Sequence, residues 1–186
     1  MGKSLIGAKM KTGNNVRIHP TVQIFGEDNI EIGDNVRIDA FSILSGGIGL
    51  KIGSNIHIAA YNSFYAGGGI VIEDFCQFAP HCLIMSQSDD FSGESLVGPC
   101  VPDHFKPNLK INGVLLKKHT VLGARTTVMQ GVTMGEGSAT GAHSLVLYDC
   151  DEWSIYVGTP ARKLKERSRK MLELEKEFTK WLHYKA

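Results

Sequence analysis

Broken every six positions, residues 116–146 read LKKHTV LGARTT VMQGVT MGEGSA TGAHSL V. The leading positions are Leu116, Leu122, Val128, Met134, Thr140 and Val146, and the step never slips. Small residues follow several leaders (Gly123, Gly135, Gly141). Small or β-branched ones stand two places before them (Thr120, Thr126, Val132, Ser138, Ser144). A helix would repeat its apolar residues near 3.6 positions and an ordinary strand every two. A period of six, with a turn in each step, predicts short parallel strands on the faces of a coiled prism. Successive coils then stack at strand spacing, about 4.8 Å.

Working toward the N-terminus, the same leaders recur as Thr12, Ile18, Ile24, then Ile32, Ile38, Leu44, then Ile52, Ile58, Phe64, then Ile72, Phe78, Ile84. Between these triplets the step widens from six to eight, at Gly26-Glu27-Asp28-Asn29, Gly46-Gly47-Ile48-Gly49 and Gly67-Gly68-Gly69. Glycine tolerates the backbone angles a widened corner needs, and insertions recurring every twenty residues belong at one corner of about six coils. Between Ile84 and Leu116 the step is lost, which marks residues 85–113 as a long excursion. The expected organisation is an all-β coil domain over 1–158 and a C-terminal helix over 159–186. In that tail Pro160 opens the helix, and Leu164, Met171, Leu174, Phe178 and Trp181 recur at helical spacing.

The chain has 186 residues, 42% of them hydrophobic, which suits one domain with a real core. A net charge of +1 gives no pull toward nucleic acid or an anionic membrane. Lys3, Lys9 and Lys11 break any apolar run near the start, and no stretch approaches a membrane span. A cytoplasmic protein is expected. Cys76, Cys82, Cys100 and Cys150 form no C-x-x-C, and no histidine pair sits at zinc-finger distance, so no metal is expected. Cys76 and Cys82 fall on the six-residue step and read as small buried side chains.

Residues 72–84, residues 116–146 with Gly-Val-Thr-Met-Gly at 131–135, and the ending Val157-Gly158-Thr159-Pro160-Ala161-Arg162 together resemble the hexapeptide-repeat acyltransferases, the family of galactoside, maltose and antibiotic acetyltransferases. The resemblance implies a left-handed parallel β-helix, which spacing cannot show. It also implies acetyl-CoA as co-substrate, direct transfer in a ternary complex, and a homotrimer with active sites between adjacent prisms. A small carbohydrate acceptor, in the setting of surface-polysaccharide synthesis, belongs to the same expectation. The rival reading is a catalytically silent β-helix that only assembles with partners; the basic ending and the polar excursion argue against it.

A long insertion in a strict array is a functional candidate. In the galactoside-type enzymes the excursion carries a histidine that deprotonates the acceptor hydroxyl; the matching position, counted from Ala79-Pro80, is Asp89. A hydroxyl needs a base tuned near neutrality as it attacks, and a carboxylate near its ordinary value of about 3.9 does this badly. A free amine attacks unaided, and only the tetrahedral intermediate must shed a proton. Asp89 therefore tilts the reading toward an amino sugar, while a raised carboxyl pKa, His81 or His104 would restore O-acetylation. Asp89, His81 and Asp90 are the catalytic candidates. Tyr61, Asn62, Tyr65 and His104 are candidates for the acceptor, since Tyr and Asn offer flat apolar area and directional hydrogen bonds. For acetyl-CoA the family implies Gly123-Ala124 and Gly141-Ala142 along the pantetheine arm. Arg162 and Lys165 would meet the nucleotide phosphates, with Lys163 and Arg167 as nearby substitutes.

Overall fold

The computed structural model describes residues 10–185; Lys3 and Lys9, and the start of the expected coil domain, lie outside them. The chain winds into a three-faced prism. Its first face stacks strands from Lys11–Thr12 to Thr133–Met134, and its second runs from Arg17–Ile18 to Ser154–Val157. The third runs from Gln23–Phe25 to Leu145–Val146. Within the coils every strand pair is parallel. On the second face Ile18, Ile38, Ile58, Phe78, Leu122 and Thr140 lie in one row. The row advances by twenty residues per coil, once by forty-four across the excursion, and then by eighteen; those three increments are the widened coil, the coil with its loop, and the bare six-residue repeat.

The leaders point inward, as a period-two strand only three residues long requires. Every leader from Ile32 to Val146 is buried, and Phe64 meets Phe78 edge to face at 5.2 Å. Thr12 is exposed and Ile18 and Ile24 half-buried, because the first coil has no coil outside it among the described residues. The polar leader Thr140 is accommodated by Thr126 Oγ1 at 2.9 Å and the Gly123 amide at 3.2 Å. Cys76 and Cys82 are buried as expected, and burial pushes their thiols up to about 12 and about 11.

The eight-residue steps do share one corner. Gly46 N donates to Phe25 O at 2.8 Å, Ile48 N to Ala66 O at 3.1 Å, and Asn29 Nδ2 to Gly47 O at 2.6 Å. The other two corners hold non-glycine residues with positive φ, in columns. Asn15, Asn35 and Asn55 lead to Phe75 and His119 on one; Phe41, Tyr61, His81, Arg125 and His143 make the other. Asparagine tolerates this conformation well; the aromatic and basic residues hold it because coil stacking fixes the backbone on both sides.

The ending differs from the expected single helix. Arg162–Glu166 is a strand that folds back antiparallel on Ser154–Val157, and the helix, α1, spans only Met171–Lys185. The last coil leaves an edge of unpaired amides and carbonyls. The returning strand satisfies it, and its charged side chains blunt the new edge. The helical spacing of Leu164 with Met171 was thus a coincidence across two elements. α1 packs on its own prism: Phe178 meets Phe75 edge to face at 6.0 Å, and Glu175 receives Lys118 and His119, the latter with Nε2 at 2.8 Å.

Candidate functional site

The excursion leaves the third face at Met85 and is fastened at the glycine corner. Ser86 is fully buried; its Oγ accepts from Gly68 N at 2.9 Å and donates to Tyr65 O at 3.0 Å. The two stems then zip together, Gln87–Ser88 antiparallel to Lys110–Ile111, with Asn112 N donating to Ser86 O at 3.0 Å. A β-carbon on Gly68 would lie 2.3 Å from Ser86 O, and one on Gly67 would lie 2.1 Å from Gln87 Oε1. The triple glycine is therefore a seat for the loop's root as well as a widened corner, a role its position alone did not reveal.

Inside the loop, Asp90 is a hub. Its carboxylate accepts from Ser92 N at 2.9 Å, Ser92 Oγ at 2.7 Å and Asn108 Nδ2 at 3.3 Å, which ties the outgoing limb to the returning one. The Ser92 hydroxyl and amide, with smaller help from Asn108 and Lys110, hold its pKa below the ordinary carboxylate value. With three hydrogen bonds made inside the loop, the Asp90 carboxylate braces its two limbs, and it is not among the residues that line the groove below. Asp89 differs: Gly98 N donates to its Oδ2 at 3.2 Å, and the residue lines a groove of about 390 Å³ with Tyr65, Ser45, Met85, Gln87, Ser88 and Phe91. Two expected residues, Asp89 and Tyr65, thus meet in one hollow.

His81 and Tyr61 do not join them in this protomer. They stand at the opposite edge of the third face, in an outward stack: Phe41 on Tyr61 at 5.1 Å, and Tyr61 on His81 at 4.7 Å with rings 3° from parallel. Arg125 and His143 continue the column, both exposed. Asn62 points into the prism. Its Nδ2 donates to Ala59 O at 2.6 Å and Ala79 O at 3.1 Å, and its Oδ1 accepts from Cys82 N at 2.9 Å. With the residue fully buried, that amide serves the coil and has nothing left for an acceptor. His104 is exposed on the short turn Asp103–Phe105, its ring 4.0 Å from that of Phe105, outside the groove.

At the far end, Gly123 and Gly141 owe their identity to stacking. A β-carbon at Gly123 would lie 2.6 Å from the Gly141 carbonyl carbon, and one at Gly141 would lie 2.8 Å from Val157 Cγ1. Ala124 is half-buried and Ala142 exposed beside them. Arg162 and Lys165 lie exposed on the returning strand, and Arg162 borders a hollow of about 150 Å³ with Tyr148 and Tyr156. The two substitutes are engaged elsewhere: Lys163 pairs with Asp151 at 3.2 Å and Glu166 at 2.7 Å, and Arg167 Nη1 donates to His119 O and Gly137 O.

The sequence matches no family model. The structure of AntD, an N-acyltransferase from Bacillus cereus bound to dTDP and 3-hydroxybutyryl-CoA, superposes with a TM-score of 0.90 at 45% identity, covering 94% of this chain and 92% of AntD. The chain belongs to the hexapeptide-repeat sugar acyltransferases.

A variant of AntD bound to dTDP-4-amino-4,6-dideoxyglucose and coenzyme A is 46% identical, with a TM-score of 0.89 and coverage of 92% of this chain and 91% of that one. The dTDP-4-amino-4,6-dideoxy-D-glucose acyltransferase of Escherichia coli is 39% identical over 111 residues, 60% of this chain and 57% of that enzyme; the match thus spans little more than half of the relative's length. A maltose O-acetyltransferase from Clostridium difficile 630, at 17% identity and a TM-score of 0.60 over 86% of this chain and 70% of its own, shares the fold. For this acyltransferase the sequence missed Met85, Gln87 and Phe91 in the groove, and Phe41 and Arg125 in the corner column. Stepping back twenty residues from Tyr61, and forward forty-four from His81, would have found the last two.

Proposed function

We propose that the protein transfers an acetyl group from acetyl-CoA to the amine of a nucleotide-linked amino sugar, with Asp89 as the proton acceptor. One observation carries the reading: the groove at the root of the excursion presents a carboxylate, Asp89, oriented by the Gly98 amide. The likeness to AntD over nearly the whole chain supports the same choice of nucleophile. The amine nitrogen attacks the thioester carbonyl, a C–N bond forms, and Asp89 takes a proton from the nitrogen of the tetrahedral intermediate. The C–S bond then breaks, and the thiolate leaves as the thiol once it is protonated. The Asp89 carboxyl can return that proton. The protein otherwise works by holding two reactants in line.

Arg162 and Lys165 are exposed cations suited to the phosphates of coenzyme A, with Ala124 and Ala142 leaving room for its arm. A homotrimer would set the Phe41–Tyr61–His81 corner of one prism against the groove of the next. Its support is the exposed apolar edge itself, since Phe41 is 54% and Tyr61 49% exposed. No helix among the described residues is long and apolar enough to cross a membrane. We place the enzyme in the cytoplasm because acetyl-CoA is supplied there.

The test is direct: acetyl-CoA is incubated with dTDP-4-amino-4,6-dideoxyglucose, and released thiol and N-acetylated product are measured. Turnover with the amino sugar and none with the 4-hydroxy sugar is expected. Preference for the hydroxy sugar would reverse the assignment.

A further inference from the structure

We propose that Phe91, with Met85, forms an apolar wall that selects an acceptor bearing a methyl group, rather than a hydroxymethyl group, beside its reactive amine. The inference rests on the amino-sugar reading and adds to it the feature of the sugar that is recognised. Phe91 is 90% exposed, unlike Phe64 and Phe78, which the prism buries. Its backbone is held nonetheless: the Asp90 carboxylate grips Ser92 N at 2.9 Å and Ser92 Oγ at 2.7 Å, one residue to either side of Phe91. Phe91 borders the same groove as Asp89, two residues away, and Met85 borders it from the end of the strand Leu83–Met85.

The groove is thus sided. Asp89, Ser88 and Gln87 bring polar groups to it, and Phe91, Met85 and the Tyr65 ring bring apolar surface. Sites that bind small molecules combine such walls with a few polar groups that set orientation. In a 4-amino-4,6-dideoxyhexose the methyl stands on the ring carbon next to the one bearing the amine. The other neighbour of that carbon bears a hydroxyl, so the sugar is polar on one side of the amine and apolar on the other, as the groove is on either side of Asp89. A hydroxymethyl there would lose water from its hydroxyl and find no partner on Phe91 or Met85.

The experiment compares kcat/KM for the dTDP-linked 4-amino-4,6-dideoxy sugar and the 4-amino-4-deoxy sugar that keeps the 6-hydroxyl, in the wild type and in Phe91→Ala and Met85→Ala. Binding of dTDP alone and sedimentation are measured alongside. The wild type should prefer the methyl sugar on the order of tens of times, the scale of one added hydroxyl in an apolar pocket, and each variant should cut that ratio several-fold. An unchanged ratio in both variants overturns the proposal. So does loss of dTDP binding matching the loss of sugar turnover, which would put Phe91 under the base, and so does dissociation with equal loss toward both sugars, which would make the ring an interface residue. Equal use of both sugars by the wild type defeats the inference and leaves the amino-sugar reading standing; use of neither defeats both.

Discussion

The prism and the excursion are built on opposite terms. In the coils every leader from Ile32 to Val146 is buried and the strands' backbone amides donate to adjacent coils, so order comes from repetition. In the loop between Gln87 and Ile111, no coil repeats, and local backbone bonds such as Leu96 N to Phe105 O at 3.0 Å are joined by polar side chains: Asp90 on Ser92 and Asn108, Ser95 on Asn108 N at 3.1 Å, Asp89 on Gly98 N. A repeating wall can be long, stable and chemically dull. A loop pinned by polar side chains can hold a carboxylate at a chosen place without burying it, which is what proton transfer asks for.

That contrast can be broken from either side. The largest effect belongs to the wall: Leu122→Ala removes a fully buried leader and should cost about 2–5 kcal/mol of stability in denaturant unfolding, with the loop's groove chemistry intact in the folded fraction. The second falls on the phosphate end. Arg162→Ala should weaken coenzyme A binding by about 1–3 kcal/mol and leave acceptor binding nearly unchanged, as calorimetry would show. Equal affinity for CoA and dephospho-CoA in the wild type would mean that the 3′-phosphate is not held there.

A smaller effect separates the two regions by pH. Asp90 has a pKa lowered by its hydrogen bonds, so its contribution to loop order is fully present above the ordinary carboxylate value of 3.8 and fades as pH falls through the lowered folded value. Hydrogen exchange of the Ser92 amide should therefore speed up in acid below that window, while amides of the coil remain protected. Asp90→Asn should show the same faster exchange already at neutral pH. The smallest effect concerns α1. Burial raises the Glu175 pKa, but the hydrogen bonds from Lys118 and His119 outweigh it and the net shift is downward, so the clasp is present above 4.5 and lost in acid. Glu175→Gln should lower the melting midpoint by a few degrees and remove that acid sensitivity.

What could be read in advance divides along the same line. A period of six survives in any sequence that stacks, so Leu116 to Val146 declared the prism, and glycines every twenty residues declared the shared corner. The ending misled because Leu164 and Met171 satisfy a helical spacing by chance, while the need to pair the last strand's edge is a property of the whole coil. In the loop, residue types were legible and their duties were not. Asp89 and Asp90 are neighbours with the same side chain, and only the positions of Ser92 and Asn108 make one a strut and leave the other to the groove. Asn62 looked like a sugar ligand by composition; its inward direction follows from stacking at a corner that local sequence does not specify.

The central claim is that Asp89, held in the loop, takes the proton, and that the corner imidazole of His81 does not. Turnover of the amino sugar by Asp89→Asn and by His81→Ala, measured at saturating acetyl-CoA, tests it most directly. The amide of the asparagine can keep the bond from Gly98 N, so the change removes charge and basicity with little change of shape. Asp89→Asn should lose roughly a hundredfold or more in kcat with an unchanged melting midpoint, and His81→Ala should lose much less. A large loss at His81 with little at Asp89, or little loss at either, would contradict it.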